Sequence, residues 1–288
     1  MALQVLMVML RVAIYTILER KFLSYMQLRK GPNKPGPLGL LIPFGDALKL
    51  VRKNVRTPAV RNNWIFMVVP CLSLFIPLLL WSLYPSIYEV LTYKYSIILF
   101  LCVSALGVYA LLGAGWRRNR KYAMIGAIRA VAQSVSYEVS LSIIVLHCIM
   151  FYYYSAITTK SNSLDSFLFV IMALLFLSAL AETNRSPFDF SEGESELVSG
   201  FNTEYSAVPF VMIFLAEYIS ILFMAALVRV LFNIKGYLDL YFFSILWAMS
   251  FIWMRGRLPR LRYDQLIYLS WKCLLPFVLS SIGLVLML

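Results

Sequence analysis

Two glutamates lie inside long apolar segments, where an ionised side chain is costly. Glu138 lies in IGAIRAVAQSVSYEVSLSII, nine residues after Arg129, and Glu217 lies in FLAEYIS. Nine residues make about two and a half helical turns, so Glu138 is well inside its segment. A carboxylate at that depth costs about 2.5 kcal/mol or more unless it is paired, protonated or in contact with water. Both positions therefore predict a functional acid, and a structural ion pair is the alternative.

A third group of acids is concentrated in one short segment, ETNRSPFDFSEGESELVSGFNTEY, which covers residues 182–205. Its carboxylates are Glu182, Asp189, Glu192, Glu194, Glu196 and Glu204, against the single cation Arg185. Helix capping by Ser191 and Glu194 explains one or two of them. Crowded carboxylates repel, so some are expected to hold protons near neutral pH and could relay them. A docking surface for a basic partner is the alternative.

Two further segments combine charge with a defined turn. Glu19-Arg20-Lys21 is followed by a Gly/Pro-rich stretch from Arg29 to Gly36, which cannot continue a helix. The next apolar residues recur at spacings of three, four and three, while Asp46 falls on another face. This pattern predicts an amphipathic helix in the membrane interface, and a basic anchor on anionic lipid is the alternative. The apolar positions are Leu41, Phe44, Leu48 and Val51.

The second charged turn is RGRLPRLRYD, residues 255–264. Its arginines could supply countercharge to the acidic segment. Alternatively, they form only a basic loop on the inner side of a membrane.

Composition identifies the elements that must position these groups. Of 288 residues, 61% are hydrophobic and 14% charged, and the mean hydropathy is +0.78. Soluble domains have about 45–50% apolar and about 25% charged residues. We therefore expect an all-α integral membrane protein, one polytopic domain over residues 1–288, with eight transmembrane helices and an amphipathic interfacial helix in the first connection. The expected spans are 3–22, 64–83, 95–115, 131–154, 167–181, 207–231, 238–254 and 266–287.

The net charge of +12 is distributed unevenly among the connections. Three connections from odd to even spans are strongly basic, whereas the even-to-odd ones are neutral. The positive-inside rule then places the large connections inside and both termini outside, and it explains the charge better than a nucleic-acid partner does. Arg11 lies within the first span, which predicts a partner acid or an adapted neighbour.

The sequence offers no grouping typical of a metal site. The four cysteines are far apart and lie in or beside apolar segments, and His147 is the single histidine. Neither a zinc site, an iron–sulfur cluster nor a disulfide framework is expected. No cleavable leader is expected either, because the first apolar segment runs straight into Glu19-Arg20-Lys21.

Four long motifs resemble the chain 1 family of NADH–ubiquinone oxidoreductases, the quinone-chamber membrane subunits of respiratory complex I. They occur in the family's order across nearly the whole chain. The motifs are ERKFLSYMQLRKGPNKPGPLGLL, IGAIRAVAQSVSYEVSLSII, AETNRSPFDFSEGESELVSGFNTEYSAVPF and RLPRLRYDQLIYLSWK.

The resemblance assigns roles by motif position. It implies a quinone tunnel bordered by Glu19, Arg20, Arg29, Asp46, Arg255, Arg260 and Arg262, with Asp264 in the same motif. It implies a proton path through Arg129, Glu138, Glu182, Arg185, Asp189, Glu192, Glu194, Glu196, Glu204 and Glu217. Ile42 and Asn54 depart from residues common in the family.

The resemblance also implies the assembly and the chemistry. The chain would be a subunit of a proton-translocating NADH:ubiquinone reductase, with ubiquinone as substrate and no complete active site or cofactor of its own. NADH, FMN and iron–sulfur clusters would belong to partner subunits. Its partners would be the peripheral-arm quinone-site subunits, neighbouring membrane-arm subunits and anionic lipid.

The expected location is the mitochondrial inner membrane, with a bacterial plasma membrane as the alternative. The alternative functions are the homologous membrane subunit of a membrane-bound hydrogenase, a proton-coupled transporter and a pure scaffold. A transporter commonly shows internal repeats, which this sequence lacks, and a scaffold leaves the intramembrane acids unexplained.

Overall fold

The structure, a computed structural model, describes residues 2–54, 63–84, 94–116, 121–157, 164–189, 205, 207–232 and 237–287. Within these ranges every regular element is a helix. The helices are α1 (Ala2–Met26), α2 (Ile42–Val51), α3 (Asn63–Ser82), α4 (Ser96–Trp116), α5 (Lys121–Ile157), α6 (Leu164–Glu182), α7 (Val208–Leu231), α8 (Tyr237–Arg257), α9 (Tyr263–Tyr268) and α10 (Leu275–Met287). A 3₁₀ turn (Pro37–Gly39) precedes α2, and a π-helical stretch (Leu269–Leu274) joins α9 to α10.

Each of the eight predicted apolar segments is helical over its whole length, except for at most one residue at an end. Several of the helices extend beyond the predicted segments. The predicted amphipathic helix after the Gly/Pro-rich stretch is also a helix, α2. Four helical stretches are long and apolar enough to cross a membrane: Ser96–Trp116, Met124–Phe151, Val208–Val228 and Tyr263–Gly283. The expectation of an all-helical membrane protein is confirmed to this extent for the described residues.

Helices α5 and α7 organise the packing. The 37-residue α5 packs against α4, α6 and the α9–α10 region, while α7 packs against α1, α3 and α8. The main core lies among these helices and includes Tyr137, Ile144, Leu180, Ile219 and Ile252, all at most 1% exposed. By contrast, α4 and α10 carry large apolar side chains on their outer surfaces, as lipid-facing helices do.

A buried glutamine holds the turn that follows α6. The Gln133 amide Nε2, on α5, donates to the carbonyls of Ala181 (3.0 Å) and Phe188 (2.9 Å), and the side chain is fully buried. The last carbonyls of a helix have no partner within it, so Gln133 supplies one. Leu261 N also donates to Pro187 O (3.1 Å), which ties the turn to the α8–α9 connection. These bonds fix the backbone that carries Glu182, Arg185 and Asp189.

The last helical region changes its winding at Leu269. The Tyr137 hydroxyl donates to the Leu266 carbonyl (3.0 Å) just before the π-helical stretch begins. Changes from α to π winding disturb the regular backbone ladder, and this buried hydroxyl provides an external donor there. Helices α9 and α10 are thus fastened to α5 beside the segment that carries Glu138.

Two glycines of α4 provide a matched test of helix packing. A Cβ atom on Gly113 would lie 2.8 Å from Cγ2 of Val69 on α3, whereas a Cβ atom on Gly107 would have nothing within 4 Å. Val69 is buried and β-branched, so it moves with difficulty. Gly113→Ala should therefore destabilise the protein by about 1–3 kcal/mol, the usual cost of overpacking. Gly107→Ala should be neutral or stabilising by about 0.5–1 kcal/mol, because alanine favours helix.

The measurement is the unfolding temperature of the detergent-solubilised protein, followed by loss of helical circular dichroism. Gly113→Ala should lower this temperature, whereas Gly107→Ala should leave it unchanged or raise it. Equal shifts would mean that α3 and α4 do not approach closely at Gly113.

Candidate functional site

The Glu19 carboxylate is a buried charge with partners on several elements. Glu19 lies near the end of α1 and is 6% exposed. Its Oε1 pairs with Nη1 of Arg255 from α8 and lies 3.9 Å from Nη1 of Arg185, in the turn after α6. Its Oε2 accepts a hydrogen bond from the Tyr218 hydroxyl on α7 (2.7 Å). Groups from three other elements therefore satisfy one buried charge, as burial requires.

Arg185 links this group to a second carboxylate. Its Nη2 lies 3.6 Å from Oε2 of Glu217, and its guanidinium lies 4.5 Å from the centre of the Tyr218 ring. Burial by itself lowers the pKa of Arg185, but Tyr218, Glu217 and Glu19 outweigh burial and raise the pKa above its ordinary value. Arg185 is therefore a permanent positive charge placed between two carboxylates on different helices.

Three glutamates converge on one cavity of about 160 Å³ among α3, α4, α5 and α7. Glu138, Glu182 and Glu217 line it, and hydroxyl groups such as Ser134 and Ser220 alternate with apolar wall residues. Oε2 of Glu182 is buried and has no hydrogen-bond partner among the described residues. Its wall is mostly apolar, but a cavity of this size has room for several water molecules, and the carboxylates and hydroxyls supply hydrogen-bond partners for them. Carboxylates around such a cavity can exchange protons through water or through one another.

Glu138 and Glu182 are a like-charged pair. They influence each other electrostatically across this cavity. Among the described residues, no cation forms an ion pair with either of them. Two carboxylates that face one cavity without an ion-pair partner repel each other when both are charged. The two intramembrane acids therefore differ in their surroundings. Glu217 is paired with Arg185, whereas Glu138 lines the cavity and has no ion-pair partner among the described residues.

The remaining charged residues form smaller pairs at the same end of the molecule. Arg260 Nη2 lies 3.6 Å from Oδ2 of Asp189, so the basic turn does neutralise one residue of the acidic segment. Arg262 instead pairs with its neighbour Asp264 (3.2 Å) at the exposed surface. The Arg129 guanidinium lies 5.9 Å from the Tyr263 ring centre.

The first connection contributes an exposed pair. Arg20 Nη1 lies 3.3 Å from Oδ2 of Asp46 on α2, and both side chains are more than half exposed. Arg29 is exposed in the turn after α1 and does not join this pair. All four apolar residues of the predicted α2 face (Leu41, Phe44, Leu48 and Val51) are exposed, each by at least 47%.

The sequence did not single out several residues that complete this site. These residues are neutral and lie in apolar segments, so a polar group among apolar neighbours was the only sequence signal. They are Tyr15, Gln133, Tyr137 and Tyr218. The Tyr15 hydroxyl donates to Ala248 O (3.1 Å), and its ring packs edge-on against Tyr218. Tyr218 directly follows Glu217, and this adjacency was an available signal.

Three further sequence features are Arg11, His147 and the remainder of the acidic segment. The Arg11 guanidinium lies 5.5 Å from the Trp81 ring centre, so its described neighbour is an aromatic ring rather than an acid. His147 is buried, and its Nδ1 forms a hydrogen bond with the Ser281 hydroxyl (3.1 Å). The predicted site residues Glu192, Glu194, Glu196 and Glu204 lie outside the described residues.

Comparisons with known proteins cover almost the whole chain. The profile of a family described as NADH dehydrogenase matches residues 1–286. A relative from Aedes aegypti is 48% identical over 287 residues, with 96% of this chain and 90% of the relative covered. Relatives from Heterololigo bleekeri and Balaenoptera physalus are 47% and 45% identical, with 94% and 96% of this chain and 90% and 91% of the relatives covered. All three are named NADH-ubiquinone oxidoreductase chain 1.

The buried and exposed ion pairs predict different sensitivities to mutation. Glu19→Leu leaves the buried guanidinium of Arg185 and the half-buried one of Arg255 without their shared anion. The expected loss of stability is about 3–5 kcal/mol, the usual cost of removing one partner from a buried pair. Asp46→Ala, the control, breaks a solvent-exposed pair and should cost at most about 1 kcal/mol.

Both variants can be compared by the amount of chain retained in membranes and by the rate of heat denaturation after solubilisation. Similar values for the two would show that Glu19 is not the buried junction described above.

Proposed function

This chain belongs to the NADH dehydrogenase family, and from that premise we propose that it is a core membrane subunit of respiratory complex I. The names of its relatives specify NADH and ubiquinone, which supports a quinone-linked role over that of a hydrogenase subunit. The observation that carries the mechanism is the position of Arg185 between Glu19 and Glu217, beside a cavity lined by glutamates.

In this proposal the chain crosses the mitochondrial inner membrane eight times. Its basic connections, the turn after α6 and helix α2 all lie on the matrix side. The clustering of the α1, α6 and α8 ends around Glu19 supports this arrangement, because the three ends then share one side. The exposed apolar face of α2 would rest in the membrane interface.

The quinone-facing part of the site is the matrix-side surface formed by α1, α2 and the α8–α9 connection. Ubiquinone would enter along it and be reduced by electrons from an iron–sulfur cluster in a peripheral-arm partner. The charged residues assigned to this surface are Glu19, Arg20, Arg29, Asp46, Arg255, Arg260 and Arg262. Exposed pairs such as Arg20–Asp46 can bind or orient polar groups at the surface, since solvent or a partner reaches them freely.

The proton-transferring part is the cavity and the groups that border it. Glu217, Glu138 and Glu182 would form its described section, with Arg129, Arg185 and Asp189 as associated charges. The acids at positions 192, 194, 196 and 204 would continue the path on the matrix side. Protons would pass from this path to ionisable groups in neighbouring membrane-arm subunits.

Electrostatics supplies the link between the two parts. A displacement of the Glu19 carboxylate alters how strongly Arg185 is attracted toward Glu19. Because Arg185 also faces Glu217, the same change alters the proton affinity of Glu217. Glu217 shares the cavity with Glu138 and Glu182, so its charge in turn shifts their proton sharing. Quinone reduction at the matrix-side surface can thereby move a proton in the glutamate cavity, although the quinone does not contact the glutamates of that cavity.

The first test removes one proton-transferring group. Glu138→Gln nearly keeps the size and shape of the side chain, but it replaces one carboxylate oxygen by an amide NH2 group and cannot ionise. Quinone-linked NADH oxidation should fall by at least about tenfold, since a positioned proton-transferring side chain is commonly worth 10²–10⁴-fold. The measurement is NADH:quinone turnover and proton pumping by complex I in sealed vesicles.

The control for this test is Ser142→Ala, one turn further along α5. The Ser142 hydroxyl donates only to Val139 O of its own helix (2.8 Å), so the variant should behave as the parent. Full turnover and unchanged protons per electron in Glu138→Gln would remove Glu138 from the path.

The second test separates quinone chemistry from assembly. Asp46→Asn removes the charge that pairs with Arg20 at the surface. Quinone reductase activity should fall about fivefold or more, the effect of roughly 1 kcal/mol on the transition state. Electron transfer from NADH to a soluble artificial acceptor should persist, because it does not use the membrane subunit. Loss of both activities would mean failed assembly, and retention of both would place Asp46 away from the quinone.

A further inference from the structure

A second concave surface, separate from the glutamate cavity, lies between the ends of α1 and α8. It is a groove of about 480 Å³. Phe22, Leu23 and Met26 of α1 and Trp253 of α8 form apolar parts of its wall. Gln27 and Arg257 add polar groups at the ends of the two helices. None of these residues belongs to the charged group around Glu19 or to the glutamate cavity.

Close helix packing shapes the floor of this groove. A Cβ atom on Gly256 would lie 2.7 Å from Cε and 2.8 Å from Sδ of Met26, and 3.3 Å from Cδ2 of Leu23. Glycine at this position therefore lets α8 approach α1 closely. The resulting groove has the apolar side chains of Phe22, Leu23 and Met26 on one wall and the Trp253 indole ring on the other.

A cation lies at one end of the groove. The Arg257 guanidinium lies 4.5 Å from the centre of the Trp253 ring, in a cation–π contact that leaves its N–H donors available. Arg257 takes part in none of the ion pairs of the described residues. Those pairs use Arg20, Arg185, Arg255, Arg260 and Arg262.

The depth of these groups follows from the apolar segments. The apolar segment of α8 ends at residue 254, so Arg257 lies about 4.5 Å further along the axis, at 1.5 Å per residue. The apolar segment of α1 ends at Phe22, and Gln27 lies beyond it. The groove therefore passes from the hydrocarbon region into the headgroup region, with its apolar wall inside and its cation outside.

We propose that this groove binds one anionic phospholipid, with an acyl chain along Phe22, Leu23 and Trp253 and its phosphate on Arg257 and Gln27. Arg257 lies at headgroup depth, where its positive charge complements a phosphate. This complementarity favours an anionic phospholipid over a purely apolar ligand. An arginine guanidinium matches phosphate oxygens geometrically, and an indole is typical of the interface. The inference rests on the proposed function for its premise that α1 and α8 cross the membrane and for its assignment to the inner leaflet.

The test uses photoreactive lipids and the intact complex. The complex is delipidated and reconstituted in phosphatidylcholine vesicles that contain phosphatidylglycerol with a diazirine in its acyl chain. After illumination, labelled peptides are identified by mass spectrometry. The expected labels are on residues 22–27 and 253–257. Phosphatidylcholine with the same diazirine chain should label these peptides about fivefold less, the factor contributed by one basic residue at an anionic membrane surface.

Variants distinguish the groove from general surface charge. Arg257→Gln should lower the label by about fivefold, and Arg257→Lys should largely retain it. Lys272→Gln is the matched control, because the Lys272 ammonium also lies over an aromatic ring, Tyr268, at 4.7 Å, but does not line this groove. It should leave the label unchanged.

Four results would overturn the proposal. Equal labelling by the two lipids, or no effect of Arg257→Gln, would remove the anionic headgroup from the site. Absence of label on both peptides would mean that a neighbouring subunit covers the groove. Displacement of the label by inorganic phosphate alone would indicate a free-anion site rather than a lipid site. Quinone reductase activity is not the readout, so failure here would not bear on the proposed function.

Discussion

A negative charge buried at the end of α1 determines how the surrounding helices meet. Glu19 is 6% exposed, and a carboxylate in that position is tolerated only with close partners. Those partners come from α7, α8 and the turn after α6, which brings four separate parts of the sequence together. The Gln133 bonds to Ala181 and Phe188 place the turn so that Arg185 can reach Glu19.

Arg185 connects two groups of residues to which the sequence analysis gave separate roles. Glu19 and Arg255 were assigned to a quinone-facing surface, and Arg185 and Glu217 to a proton path. In the structure Arg185 lies between Glu19 and Glu217, so these assignments describe two ends of one electrostatic unit. Because the unit holds two carboxylates and two arginines, its formal net charge is zero, and one added proton would give it a net charge of +1.

The sequence predicted the helices well because a long apolar run has few alternatives in a membrane. Backbone groups in lipid must bond within their own segment, so each of the eight predicted apolar segments coincides with helix, although α5 begins ten residues before the predicted segment that starts at residue 131. Charge spacing also identified Glu138 and Glu217 as unusual. Long-range pairing was not predictable: Glu19 and Arg255 are 236 residues apart, and no periodicity relates them. Tyr218 and Gln133 were missed because a neutral polar residue in an apolar helix costs little enough to be unremarkable in a sequence.

Gln133 illustrates how geometry can restrict a position more tightly than charge does. Its Nε2 group serves two carbonyls that lie seven residues apart in the chain, on either side of a bend. Among uncharged side chains of that length, only glutamine offers two N–H donors on one atom. Asparagine is one methylene shorter, and glutamate has acceptors where donors are required. Natural variation at position 133 should therefore be narrower than at the exposed charged positions, and a replacement there should require a compensating change in the bend itself.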